Sequence, residues 1–540
     1  MQHQFSQIPR ADIPRSSFNR SHGYKTAFDA GYLVPFYCDE ALPGDTFNLS
    51  HQVFARLATP IVPIMDNMFL ETFYFAVPLR LLWDNFQKFN GEQINPGDST
   101  DFTIPQVVSP AGGWLTGSLS DYMGLPIKVA GLSVSSLWHR AYNLIWNEWM
   151  RDENLQNSLT VPTGNGPDTD STFTLQRRGK RHDYFTSCLP WPQKGPGVTI
   201  SMGSTAPVYG TGKSLGLTDG TTSFGFNQGI LPCDSGYPGI PFRSTTAYNV
   251  TLGATTYTAN DLGGTQNRTG KAYGVVTSGT SGLYADLSTA AAVTINSMRQ
   301  AFQLQKMQER DARGGSRYTE IIRSHFGVVS PDSRLQRPEF LGGSSSRVSI
   351  APVPQQAPTA ATPMGSLAAY GIVSDGSRGF VKSFVEHCVI LGLVNVRADL
   401  NYQQGIPRMF SRSTRYDFYW PALAHLGEQA VLNKEIYAQA TSADTQVWGY
   451  QERWAEYRYY PSQITGVLRS TATTPLDVWH LAQKFTSLPT LAATFIQDDP
   501  PVDRVIAVPS EPHFIFDSYI SLTCARPMPV YSVPGLVDHF

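Results

Sequence analysis

Charge is the first thing this sequence is short of. Only 16% of its 540 residues are Asp, Glu, Lys or Arg, against a usual share of about 25%. Much of the surface must therefore be neutral or covered by other protein, and the deficit points to broad interfaces. The signs nearly cancel, 41 basic against 43 acidic residues, so no global attraction to nucleic acid or membrane exists and only local patches count. Cysteine is also scarce. Cys38, Cys188, Cys233, Cys388 and Cys524 are scattered singly, without a C-x-x-C pair and in an odd number, which indicates neither a disulfide framework nor a zinc site. They read as buried free thiols in a reducing compartment. The start, MQHQFSQIPRADIPRSSFNRSHGYK, has no apolar core of a signal peptide, and no run approaches the roughly 20 apolar residues of a membrane helix. The expectation is a chain without membrane insertion.

What the chain has instead is punctuation and aromatics. With 46 Gly, 38 Pro and 12% aromatic residues, it reads as many short strands joined by long loops. The length has a prior of two to four domains, although large all-β chains with insertions break that rule. Residues 67–79 set Phe69, Phe73, Phe75 and Val77 on one side and Met68, Leu70, Tyr74 and Ala76 on the other, the pattern of a strand buried on both faces. Residues 382–402 read similarly. Residues 447–460 alternate aromatic and charged residues as a half-exposed strand does. Residues 512–524 set Phe514, Phe516, Ile520 and Leu522 against His513, Asp517, Ser521 and Thr523.

Two helices are expected within this β-rich background. Residues 132–150 carry Leu137, Trp138, Ala141, Tyr142, Leu144, Ile145 and Trp149 at helical spacing. Residues 295–315 offer Ile295, Met298, Ala301 and Phe302 to a core and stop at Gly314-Gly315. From 201 to 290 Gly, Ser and Thr dominate and charges thin out, but isolated tyrosines argue against disorder. That segment reads as a protruding loop or β-rich insertion.

Motifs for chemistry are few. The run PVYGTGKSLG, residues 207–216, ends like a phosphate-binding loop. Yet Pro207 replaces the first glycine, no buried apolar strand precedes it, and LGLTDGTTS follows where a helix must begin. It reads as a glycine-rich surface turn. His182-Asp183 has no partner nucleophile motif. Asp498-Asp499, followed by Pro500-Pro501, reads as an Asx-type turn. No H-E-x-x-H, EF-hand or spaced Cys/His set occurs, so nothing argues for an enzyme, a cofactor or a metal.

Basic clusters are the livelier candidates. Arg10, Arg15, Arg20 and Lys25 recur along the N-terminal segment beside Phe5, Phe18 and Tyr24, and Arg177, Arg178, Lys180 and Arg181 crowd five positions. Such residues neutralise phosphates while an aromatic ring stacks on an unpaired base. The alternative is a solvated loop or a donor of salt bridges between subunits. Arg310, Arg313, Arg317 and Arg323 read as structural partners for acids such as Glu309 and Glu320.

Several long stretches carry a resemblance. IPRSSFNRSHGYKTAFDAGYLVPFY, FARLATPIVPIMDN, AYNLIWNEW, RRGKRHDYFTSCLPWPQKG, IIRSHFGVVSPDSRLQRPEFLGG, SRSTRYDFYWPALAHLGEQAVLNKEIYAQ, YQERWAEYRYYPSQITG and ARPMPVYSVPGLVDHF resemble the major capsid proteins of the gokushoviruses, small single-stranded DNA phages of the Microviridae. They cover nearly everything outside 201–290. The resemblance implies a mainly β fold, a single viral jelly roll of two antiparallel sheets with long loop and helical insertions. It divides the chain into a first core part with the basic arm (1–200), a variable surface insertion at the threefold axes (201–290) and a second core part (291–540). It further implies sixty copies in a T=1 shell around circular single-stranded DNA, with small basic DNA-binding and pilot proteins in the same virion, assembly in the bacterial cytoplasm, and a host receptor for the insertion. The candidate nucleic-acid contacts are then the two basic clusters, and the candidate host contacts Tyr209, Tyr237, Tyr248, Tyr257 and Tyr273. A β-rich receptor- or carbohydrate-binding protein is the rival from another class.

Overall fold

In a computed structural model of the chain, the described residues are 14–198, 295–315, 317–329, 336–359 and 363–531, with the backbone of seven short strands between 208 and 285. The chain divides into two compact units. One comprises Met1–Gly195 with Gln308–Phe540, the other Pro196–Met307.

Ten strands frame the first unit: β1 (Ser16–Asn19), β2 (His22–Phe28), β3 (Val34–Ala41), β4 (Thr46–Leu57), β5 (Met68–Pro78), β6 (Glu339–Arg347), β7 (Ser349–Pro354), β8 (Leu367–Ser383), β9 (Cys388–Ala398) and β10 (Phe514–Arg526). A six-stranded sheet runs β1-β10-β4-β8-β7 with β2 also on β10, and a four-stranded sheet runs β6-β5-β9-β3. The antiparallel pairs β2·β10, β3·β9, β4·β8 and β5·β6 nest like one long hairpin. The β10·β4 and β9·β5 pairings then roll that hairpin into two sheets. This is the jelly-roll arrangement, and it places both large excursions, residues 79–338 and 399–513, at strand connections.

The two sheets close on a shared core in which Phe28, Phe36 and Phe516 pack ring to ring at 5.7–5.8 Å between centroids. Each fully buried ring contributes about 1.5–3 kcal/mol of hydrophobic stabilisation. The outer faces differ. Behind the four-stranded sheet lies a second core, where Phe75, Val77, Val389 and Leu391 meet Trp83 and helix α1 (Leu137–Ile145). Strands β5 and β9 are thus covered on both sides, and β9 is buried at every position. Among the described residues, the far face of the six-stranded sheet meets no such layer. In β10 burial alternates residue by residue from Phe514 to Cys524, leaving Ile515, Asp517 and Tyr519 exposed.

Several expected boundaries move. The stretch 382–402 is not one strand: β8 ends at Ser383, the chain turns through Phe384–His387, and β9 begins at Cys388. The strand expected over 447–460 stops at Glu452, because Trp454 sits at φ 68° and a tight helical turn, Ala455–Tyr457, follows. The first helix starts at Leu137 rather than 132, and its last turn widens to a π-helix over Trp146–Met150. Helix α2 (Ile295–Arg313) ends at Gly314, whose N–H reaches the Arg310 carbonyl. Its expected apolar face is uncovered, however: Ile295, Met298 and Phe302 are exposed, Ala301 is half-buried, and Ala312 is its buried residue. The four described cysteines are free thiols, three of them buried. In the second unit, Val208–Gly210 pairs with Leu283–Ala285, and Asn249–Leu252 with Thr255–Thr258. No helix among the described residues is long and apolar enough to cross a membrane.

Candidate functional site

The densest basic run becomes an extended strip between two other segments. The N–H of Arg178 bonds the Gly31 carbonyl, its own carbonyl accepts from Asp498 N–H, and Lys180 N–H bonds the Ile496 carbonyl, each at 2.7–2.9 Å. Gly31 permits this approach. Its φ is +87°, and a Cβ there would run into the Asp498 carbonyl.

The side chains are committed along the strip. Arg177 stacks 4.2 Å above the Tyr32 ring and pairs with Asp499 at 2.8 Å. Arg178 pairs with Glu71, which also accepts from Arg397 at 2.9 Å. Lys180 is buried, donates to Gln483 at 2.9 Å, and lies 4.4 Å over the Phe495 ring. Burial lowers its ammonium to about 8. Arg181 alone of the four is exposed. The expected Asx-type turn at 498–499 is not what forms. Asp498 is 4% exposed, and burial pushes its carboxyl up to about 7 despite Lys180, Arg178, Arg397 and Arg177 around it. This cluster fastens the strip to the sandwich.

Arg15, Arg20 and Lys25 lie at the edge of the six-stranded sheet, because β1 and β2 both pair with β10. Arg20 forms a two-pronged pair with Asp39 at 2.6 and 2.9 Å, and Tyr37 supports the same carboxylate. Lys25 pairs with Asp517 across the strands at 2.7 Å while remaining largely exposed. Arg15 is exposed and bonds Thr46 Oγ1 at 3.1 Å. Arg10, Lys213, Tyr237, Tyr248 and Tyr273 lie outside the described residues, and Tyr209 and Tyr257 are described only as backbone positions in short strands. Of the later arginines, Arg317 meets Glu320 as expected, at 3.3 Å, whereas Arg313 pairs with Glu428.

Apparent catalytic groupings resolve into structure. Asp183 accepts from the Phe185 and Thr186 N–H groups and from Tyr402 OH, so its described partners are turn and packing contacts rather than the histidine a triad requires. A serine, histidine and aspartate do meet between the sheets, at a place the sequence did not suggest. His51 Nε2 lies 3.1 Å from both Asp375 and Ser377, and Tyr74 OH reaches Nδ1 at 2.9 Å. Ser344 gives its proton to Asp375 rather than to the imidazole, and His51 is 1% exposed. A hydrolytic triad needs a nucleophile bonded to the base and open to substrate. This one instead satisfies five polar side chains across the sandwich interior. No set of three metal-ligating side chains occurs among the described residues.

Similarity to known proteins decides what such a molecule is. A family model described as Capsid protein (F protein) matches residues 6–536. The chain belongs to this phage capsid family. Relatives share its full length: it is 46% identical to Capsid protein VP1 of Bdellovibrio phage phiMH2K, over 100% of this chain and 98% of that one. It is 47% identical to Capsid protein VP1 of Chlamydia phage 1, over 99% and 98%, and 37% identical to that of Spiroplasma virus 4, over 99% and 97%. The gokushovirus resemblance therefore holds end to end. As a member of the capsid family the chain is a structural virion protein, not an enzyme, and its spent charges and triad-like trio fit that role.

Proposed function

We propose that this is the major capsid protein of a gokushovirus, assembling as sixty copies into a T=1 shell around a circular single-stranded DNA genome. The carrying observation is the collinearity over 100% of the chain with a Capsid protein VP1, since a shell subunit must keep every contact patch in place at once. Small basic DNA-binding proteins and a pilot protein would share the particle, which forms in the bacterial cytoplasm. Arg10, Arg15, Arg20 and Lys25 are assigned to the genome side, together with Arg181. Of the 177–181 run, Arg177, Arg178 and Lys180 act by holding the strip that presents Arg181.

Residues 201–290, between the two core parts 1–200 and 291–540, are assigned to the bacterial surface receptor, with Tyr209, Tyr237, Tyr248, Tyr257 and Tyr273 as its contacts. The pairing of Gly210 with Leu283 brings the two ends of this insertion together. Residues 211–282 are thus replaceable by a short glycine turn without stretching the chain. The expected result is particles of normal size, seen by electron microscopy, that no longer adsorb to host cells. Failure to assemble would move the insertion into the shell contacts, and normal adsorption would remove its assignment to the host.

A further inference from the structure

The long connection between β9 and β10 carries apolar side chains that are exposed among the described residues. Eight aromatic residues between positions 410 and 460 are exposed, from Trp420 at 41% to Phe410 at 73%. Six of them, Phe410, Phe418, Tyr419, Tyr457, Tyr459 and Tyr460, gather around Arg412 as one patch. Arg412 sits over both Phe418 and Tyr457, at 5.3 and 4.4 Å, and the Tyr457 ring lies 6.3 Å from that of Tyr419. Phe410, Tyr459 and Tyr460 border a neighbouring cavity of about 300 Å³. With roughly 150–250 Å² per aromatic side chain, a little over half of it open, these six present on the order of 700 Å². A monomer's largest apolar patch is usually about 300–600 Å², whereas a standard interface buries about 800 Å² on each partner.

Composition and rigidity narrow the occupant. Tyr, Trp, Phe, Met and Arg are the residues that interface centres collect, and Lys and Asp are those they avoid. No lysine lies between 406 and 427. The acid there, Asp417, is taken up by the Ser413 and Thr414 N–H groups at 2.9 and 2.7 Å. The rings are held before any partner arrives: Trp420 Nε1 donates to the Arg415 carbonyl, whose own guanidinium lies 4.7 Å over that indole. Preorganised anchors lose little entropy on binding. Nucleic acid is a poor match, because Arg408 and Arg412 are already neutralised by Glu435 and Glu456.

We infer that this aromatic patch of the β9–β10 connection is a principal contact between copies of the chain, and that the adjoining cavity receives an apolar side chain of the neighbouring copy. The inference rests on the shell reading above, and names the surface through which the shell closes.

The double variant Phe410→Ser/Tyr460→Ser tests it, since both rings are two-thirds exposed or more and neither supports the fold. Phe326→Ser/Tyr531→Ser, with rings equally exposed elsewhere, is the control. Near-UV circular dichroism and the thermal transition of the monomer should match wild type in both. The concentration needed for particles, read by sedimentation, should rise at least about tenfold in the first variant alone, as expected when interface anchors are truncated. Particles at wild-type concentration would overturn the inference, including particles that merely lack DNA or fail to adsorb. If wild type itself stops at small oligomers, the shell reading fails while the surface is still tested: the variant should be monomeric where wild type is not.

Discussion

Asp168→Ala should lower the folding stability of the subunit by about 3–5 kcal/mol, the usual cost of removing one member of a buried ion pair. Arg140 is wholly buried in α1 and Asp168 nearly so, and they meet through two short bonds of 2.6 and 2.7 Å. Two further guanidinium hydrogens go to the Leu82 and Gly164 carbonyls at 2.8 and 2.9 Å. One arginine thus ties helix α1 to the loop after β5 and to the 164–168 loop. Without its carboxylate the charge remains in a dry site, which costs far more than the pair's net contribution. Urea denaturation of the isolated subunit measures the difference. A loss under about 1 kcal/mol would mean that water reaches the site. Arg140→Met/Asp168→Leu, which removes both charges, should recover much of the loss.

The buried carboxyl of Asp498 gives a pH signature of similar size. Its value rises from the ordinary 3.8 to about 7 on folding. Between those values the folded chain keeps a proton that the unfolded chain has released, so stability falls as pH rises through that window. Relative to Asp498→Asn, which cannot titrate, wild type should lose about 3 kcal/mol between roughly pH 5 and pH 8. Lys180, lowered to about 8, acts in the opposite direction above that value, where the folded chain binds fewer protons than the unfolded one. Parallel stability curves for the two proteins between pH 5 and 7 would show Asp498 ionised at its ordinary value, with solvent at its side.

Strands were legible where one physical environment acted on each face. Strand β10 alternates because its outer side is exposed, and β5 is apolar at most positions, Glu71 and Thr72 excepted, because the sandwich lies on one side and α1 on the other. Strand β4 escaped notice, although its burial alternates almost as regularly, because inward positions are filled by His51 and Ala55. Only the fold supplies Asp375, 324 positions away, that makes a buried histidine tolerable. Strand β8 hides in the same way behind Asp375, Ser377 and Gly379.

Charge was harder still. Arg177, Arg178 and Lys180 look like a solvated patch because their partners Asp499, Glu71 and Gln483 are more than 100 residues distant in the chain. The exposed face of α2 and the open rings between 410 and 460 were misread or unread for a related reason. A sequence shows which residues are apolar, but not whether the same chain covers them. The subdivision of the chain and its place in a shell came from resemblance, since strand pairs this far apart leave little local trace.

The mass of the purified full-length protein in solution bears most directly on the account. Analytical ultracentrifugation over rising concentration should show closed particles in the megadalton range, and electron microscopy of that fraction should show uniform shells. A protein that remains at its chain mass of 59.5 kDa at every concentration, with its aromatic patch open to solvent, would contradict it.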